Sequence, residues 1–107
     1  MKTEDIRIVL CTFPDLDKAR QIGTLLVESQ LAACVNLVPQ VESIYQWNGE
    51  TRRDSEVLAI FKTHEFLISK LEAELIERHP YDVPEFLVLP VDSGAEGYVK
   101  WIRKMTN

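Results

Sequence analysis

The dipeptide Asn48-Gly49 constrains this chain more than any other feature of its sequence, because it lies between two long strand-like segments. Asparagine and glycine both tolerate positive φ, which a two-residue hairpin turn of the primed type requires. The flanking segments, 34–47 and 50–62, are therefore predicted to pair as one long antiparallel hairpin. Pro39 has no N–H to donate, so it predicts a bend or a bulge in the first arm.

Strand and helix patterns also precede this hairpin. Residues 6–13 are mainly β-branched and apolar and predict a strand. Asp15 then predicts a helix cap, and an apolar stripe from Leu16 to Val27, at steps of three and four residues, predicts the helix behind it. The chain is thus expected to enter the hairpin from a strand and a helix.

After the hairpin, Thr63 predicts the cap of a second helix. His79-Pro80 is expected to end this helix, because proline disfavours helical geometry at the residue before it. Residues 85–91 predict the last main strand. A short terminal helix is expected to dock by an aromatic face that comprises Tyr98, Trp101, Ile102 and Met105.

The predicted order of elements is β-α-β-β-α-β followed by a C-terminal helix, which is the ferredoxin-like α+β plan. The chain has 107 residues and no internal boundary or repeat, so residues 1–107 are expected to form a single domain. In this plan two helices cover one face of the sheet and the other face meets water. Such strands should alternate apolar and polar residues.

The strands of this chain do not alternate in that way. Residues 57–61 are apolar at every position, and so are residues 86–89. Both faces of the sheet are therefore expected to be buried, although so short a chain has too few helices to cover both. Other copies of the chain are the simplest cover, and the long hairpin would project towards them. The alternative is that the C-terminal helix alone covers the second face.

Charge and composition exclude several classes of function. A formal net charge of −5, with acidic residues scattered along the chain, offers no basic surface to nucleic acid. No apolar run approaches the ~20 residues of a membrane helix, and the acidic start lacks the pattern of a signal peptide. The two cysteines, Cys11 and Cys34, lack zinc-finger spacing and are expected to be reduced. We therefore expect a cytoplasmic protein that binds neither nucleic acid nor membrane.

Cys11 and His79 are the residues with the greatest potential for chemistry. Each has an ordinary structural interpretation, Cys11 as a small core residue and His79 as the end of a helix. In the predicted fold, however, the end of the first strand and the loop after the second helix approach each other, and a thiolate with an imidazole suits copper. Nucleophilic catalysis would also need a base and an oxyanion site, for which the sequence has no motif, so we expect no enzyme.

Several short motifs occur together in an order that is specific to one family. They are Val9-Leu10-Cys11-Thr12 with Pro14-Asp15, Leu31-Ala32-Ala33-Cys34-Val35-Asn36, Ser43-Ile44-Tyr45-Gln46-Trp47, Ser55-Glu56-Val57, Lys62-Thr63, His79-Pro80-Tyr81, Val83-Pro84-Glu85 and Leu89-Pro90-Val91. Over nearly its whole length, the chain closely resembles the divalent-cation tolerance (CutA) family.

The resemblance implies a cytoplasmic homotrimer, similar in plan to the PII signalling proteins, in which the hairpins and sheet edges of three subunits interlock. It also implies a role in tolerance of copper and other divalent metal ions. Family copper ligands include a cysteine in the first strand and two histidines before the proline that ends the second helix. Cys11 and His79 match these positions, whereas Arg78 stands in place of the other histidine. The resemblance therefore implies that Cys11 and His79 bind copper weakly.

Two other functions stay open at this point. A PII-like sensor would bind a small ligand in clefts between subunits, and its candidate lining residues are Tyr45, Trp47, Lys62, Tyr81 and Glu85. A rigid trimeric scaffold would instead hold a different protein, which the sequence does not identify.

Overall fold

One antiparallel sheet and three α-helices form the framework of residues 2–107, which the computed structural model describes. In chain order the elements are β1 (Ile6–Phe13), α1 (Leu16–Glu28), β2 (Cys34–Trp47), β3 (Glu50–His64), α2 (Ile68–Arg78), β4 (Leu87–Pro90) and α3 (Glu96–Met105). The strands lie in the order β2-β3-β1-β4, and all neighbours are antiparallel. The predicted ferredoxin-like plan with a C-terminal helix is confirmed. None of the helices described for residues 2–107 has the length and hydrophobicity of a membrane span.

The β2–β3 hairpin turns at the predicted dipeptide. Asn48 and Gly49 have φ values of 50° and 79°, both in the left-handed region that a primed turn needs. The strand register shifts between Val38 and Val41, so the bulge expected at Pro39 is present. The arms contain 14 and 15 residues, and at ~3.3 Å per residue they account for the long dimension of the molecule, which measures 45 × 26 × 22 Å.

The main hydrophobic core lies between the sheet and the helices α1 and α2. Asp15 begins α1 as predicted, because its carboxylate accepts a hydrogen bond of 2.8 Å from the backbone N–H of Lys18. The largest fully buried side chains of this core are Val9, Cys11, Phe13, Leu26, Phe61, Leu71 and Leu75. The helix-facing residues of β1 and β3 therefore alternate with residues that point to the opposite face of the sheet.

The second helix starts later than the sequence predicts. Thr63 does not cap α2; it lies within β3, two residues after the buried Phe61 and on the same face. There its hydroxyl donates a hydrogen bond of 2.8 Å to the carbonyl of Leu31. The strand consequently runs on to His64, and a 3₁₀ turn, Glu65–Leu67, leads into α2.

The opposite face of the sheet, which we term the open face, is only partly covered. Its apolar side chains are Ile8, Leu10, Leu58, Ile60, Leu87 and Leu89, which pair across β1, β3 and β4. Helix α3 covers one end, where Val99 and Ile102 pack on Ile6. Leu87 and Leu89 remain 57% and 42% exposed. The C-terminal helix therefore does not cover this face alone, and the alternative that it does is wrong.

Helix α3 docks through a face that shares only Ile102 with the predicted aromatic one. Val99 and Ile102 are buried, whereas Tyr98, Trp101 and Met105 are exposed. The Tyr98 hydroxyl accepts a hydrogen bond of 3.3 Å from the amino group of Lys62 on the sheet. The purely aliphatic stripe can be buried without desolvating a hydroxyl or an indole N–H, so it takes the inner position.

Candidate metal and ligand site

The structure brings Cys11 and His79 to the same point, the backbone carbonyl of Thr12. The Cys11 thiol lies 3.6 Å from this oxygen, and the Nε2 atom of His79 lies 2.8 Å from it. Cys11 belongs to β1, and His79 follows the last residue of α2 with extended geometry. The fold therefore places both predicted metal ligands next to the Thr12 carbonyl, at the end of β1.

Both nitrogens of His79 are already engaged. Nδ1 accepts a hydrogen bond of 3.1 Å from the backbone N–H of Tyr81, and Nε2 faces the Thr12 carbonyl. An amide N–H can only donate and a carbonyl can only accept, so His79 is neutral and carries its proton on Nε2. The ring also stacks on Phe13, with centroids 4.6 Å apart. Burial lowers the pKa of His79 below its usual value of 6.5 and favours this neutral form.

The thiol of Cys11 is also in a form that binds metal poorly. Its side chain is fully buried. Burial, followed by the nearby carboxylates of Glu85 and Glu56, raises the pKa of Cys11 to about 12. Metals bind the thiolate rather than the thiol, so the proton of Cys11 must leave before the sulfur becomes a ligand.

These residues, as folded, do not make a preformed copper site. The imidazole of His79 has no free lone pair, and the thiol of Cys11 is protonated. Arg78 is paired with Glu74 at 3.0 Å on the surface of α2 and supplies no ligand. Among residues 2–107, no group of three or more His, Cys, Asp or Glu side chains is placed to hold a metal ion.

A cleft of about 1120 Å³ opens beside this point, between the hairpin arm and the segment 80–85. One wall is a single face of the hairpin, because residues of one strand at two-residue steps, and their partners across the hairpin, share a face. The side chains of that wall are Ser43, Tyr45, Trp47, Arg52, Asp54 and Glu56. The second wall includes Tyr81, Val83 and Glu85, and Thr12 lies between the two walls.

The cleft is strongly acidic. Its lining contains the carboxylates of Asp54, Glu56, Asp82 and Glu85, and among residues 2–107 Arg52 is its one cationic side chain. The Tyr81 hydroxyl donates a hydrogen bond of 2.7 Å to Glu56, and the Tyr45 hydroxyl donates one to Asp54. Burial and the bond to Glu56 raise the pKa of Tyr81, and the bond to Asp54 raises that of Tyr45. Both hydroxyls therefore stay protonated and hold their carboxylates in place.

The sequence named its cleft residues for clefts between subunits, and most of them line this cleft within the single chain. Tyr45, Trp47, Tyr81 and Glu85 line it, whereas Lys62 lies beneath Tyr98 of α3. Asp54 and Glu56 were missed as lining residues. The sequence does contain a signal for them, because side chains alternate between the two faces of β3 from the turn at Asn48-Gly49 onwards. This alternation places Asp54 and Glu56 on the same face as Arg52 and its partner Tyr45.

The ferredoxin-like sheet with a long hairpin and a cleft at the end of β1 defines a small α+β domain without a preformed metal centre among the residues described. The model of the CutA1 divalent ion tolerance protein family matches residues 7–105. The chain therefore belongs to this family, and the predicted resemblance is confirmed.

Individual relatives agree with this assignment. The divalent-cation tolerance protein CutA of Thermus thermophilus is 44% identical over 99 residues, which cover 92% of this chain and 96% of that one. Protein CutA of Homo sapiens is 44% identical over 95 residues, 89% of this chain. The chain spans only 53% of the human relative's length. The structure of CutA from Synechococcus elongatus has a TM-score of 0.96 and 34% identity, and covers 100% of this chain and 95% of that one.

Proposed function

We propose that this protein acts as a homotrimer in the tolerance of divalent metal ions and that it binds copper weakly. Membership of the divalent ion tolerance family supports the general function. The observation that carries the proposal in this chain is the acidic cleft beside Cys11 and His79, where four carboxylates face one guanidinium. A cleft lined by one sign of charge raises the local concentration of oppositely charged ions.

The proposed copper ligands are Cys11 and His79. Their arrangement supports weak binding, because His79 would have to release the Tyr81 amide and Cys11 would have to lose a proton held with a pKa of about 12. A thiol that ionises on binding favours soft ions such as Cu(I), and makes the affinity rise with pH. We propose no catalytic reaction, since the thiol is protonated and its neighbour His79 has no free nitrogen to act as a base.

The open face of the sheet supports the trimer. Leu87 and Leu89 lie beside Ile8 and Leu10 in one apolar surface that neither α1 nor α2 covers. Contiguous apolar surface of this kind usually marks an interface. The hairpin adds a second exposed apolar surface, because Ile44 near its tip is 62% exposed. Other copies of this chain are the proposed partners of both surfaces.

A copper titration tests the ligand assignment. Wild type, Cys11→Ser and His79→Ala are titrated with Cu(I) against a chromophoric chelator, with Arg78→Ala as the matched neighbour control. The proposal expects weaker binding in the first two variants and unchanged binding in the control. Equal affinities in all four proteins would dismiss the site.

Growth tests the cellular role. A bacterial strain that lacks its own member of this family is supplied with the wild-type chain and grown in rising concentrations of copper and of other divalent metal salts. The proposal expects improved growth relative to empty vector. Identical growth curves would contradict it. The cytoplasmic location stays a prediction, which cell fractionation tests.

A further inference from the structure

We propose that the cleft between the hairpin and the segment 80–85 binds an organic cation, namely an ammonium group attached to a hydrophobic body. This inference concerns a ligand other than a metal ion and does not depend on the proposed role in metal tolerance. It is argued from the charge, the aromatic surface and the apolar surface of the cleft.

The charge of the cleft selects a cation. Among the residues that the structure describes, four carboxylates line it against the guanidinium of Arg52. One oxygen of Glu56 accepts from Tyr81 at 2.7 Å, and Asp54 is held in the same way by Tyr45. Each of these carboxylates keeps acceptor capacity for a further donor, since an ionised carboxyl group has about four lone-pair positions. An ammonium group offers only donors and positive charge, whereas an anionic ligand would meet repulsion from most of the lining.

The aromatic side chains provide the second feature. Tyr45 and Trp47 lie on the face of the hairpin that carries Asp54 and Glu56, and Trp47 is 55% exposed. The faces of such rings attract cations, most strongly for tryptophan. A cation in the cleft would therefore contact carboxylate oxygens and aromatic faces together, which is how proteins recognise alkylammonium groups.

The apolar surface shows why the cation should be organic. Val83 is 81% exposed and lines the cleft together with Pro84. A bare metal ion makes no use of such surface. A divalent ion also needs several converging ligands, and among residues 2–107 no three acidic, histidine or cysteine side chains are so placed. The carboxylates are spread along the walls, an arrangement that suits a larger ligand.

The cleft is also held in shape before any ligand arrives. The second wall begins at Pro80 and includes Pro84, both of which restrict the backbone. His79 fixes this wall to β1, because its ring bonds to the Tyr81 amide on one side and to the Thr12 carbonyl on the other. The volume of about 1120 Å³ is slightly above the range typical of small-molecule sites, ~300–1,000 Å³.

Three probes of one shape test this inference. Benzylammonium, benzyl alcohol and benzoate carry positive, neutral and negative groups on the same ring. Each is titrated by calorimetry into the intact protein in the presence of a metal chelator. We expect benzylammonium to bind at least tenfold more tightly than benzyl alcohol, with binding that weakens as salt is added, and benzoate not to bind. Equal affinities for the three probes, or no binding of benzylammonium, would overturn the proposal.

Matched variants locate the binding. Glu56→Gln keeps an acceptor for Tyr81 but removes the charge, and Glu85→Gln removes a second cleft charge. Glu74→Gln removes a carboxylate from the surface of α2 and serves as the control. We expect the two cleft variants to weaken benzylammonium binding by about fivefold or more and the control to leave it unchanged. If all three variants bind as the wild type does, the cleft is not the site. The chelator separates this result from the copper and growth tests of metal tolerance.

Discussion

Replacing His79 by alanine should cost this protein a large part of its stability. The substitution removes the hydrogen bonds to the Thr12 carbonyl and the Tyr81 amide, at 2.8 and 3.1 Å. Each bond contributes a net ~0.5–1.5 kcal/mol. It also removes the stack on Phe13, with centroids 4.6 Å apart, and an aromatic pair adds ~0.5–1.5 kcal/mol. Together these terms predict a loss of about 1.5–4.5 kcal/mol in the free energy of unfolding.

Urea denaturation at one fixed protein concentration measures this loss, because the stability of an oligomer depends on concentration. His79→Phe retains an aromatic ring against Phe13 and should recover part of the loss. Arg78→Ala is the adjacent control, and its surface pair with Glu74 predicts a change of only ~0.3–0.5 kcal/mol. A loss below ~1 kcal/mol for His79→Ala would refute the view that this ring fastens the segment 80–85 to β1.

Three further predictions concern the titration of His79, the hairpin turn and the open face. Burial lowers the pKa of His79 below 6.5, so as the pH falls the unfolded chain takes up the proton before the folded chain does. The stabilisation from neutral His79 should therefore be full above pH 6.5 and decrease between pH 6.5 and the lower pKa of the folded state. The variant His79→Gln should lose this pH dependence. Gly49→Ala should destabilise the protein by ~1–2 kcal/mol in thermal or urea unfolding, because φ of Gly49 is 79°. Gly97→Ala in α3, where an added Cβ meets nothing within 4 Å, should instead stabilise it by ~0.4–1 kcal/mol. An equal effect of the two substitutions would contradict the turn assignment. Leu89→Glu should dissociate the assembly in size-exclusion chromatography, whereas Ile76→Glu on α2, where the side chain is equally exposed at 42%, should not. If both variants stay assembled, the open face is not an interface between copies.

The elements that the sequence predicts well are those set by local rules. Asn48-Gly49 specifies its own turn, and Asp15 specifies its own cap. The elements that it predicts poorly depend on tertiary contacts. Thr63 has the residue type of a cap, but the alternation of β3 turns it into the core, where it meets Leu31. The docked face of α3 was likewise settled by the competition between aliphatic and aromatic side chains for the inner position.

The candidate site shows the same division. The meeting of Cys11 and His79 follows from the order of elements, because the fold brings the end of β1 and the end of α2 together. Their chemical state does not follow from that order. It depends on the Tyr81 amide, which the loop at Pro80 turns back onto His79, and on the burial of Cys11 beneath α1 and α2. Residue type alone indicates that Cys11 and His79 can act as metal ligands. In the structure, both nitrogens of His79 are hydrogen-bonded and the thiol of Cys11 is protonated.

The central claim is that other copies of this chain cover the open face of the sheet. The mass of the protein in dilute solution tests this claim most directly. In sedimentation equilibrium at low micromolar concentration, we expect a single species of three times the 12.3 kDa chain mass. A folded species of 12.3 kDa, stable with its open face in water, would contradict the claim.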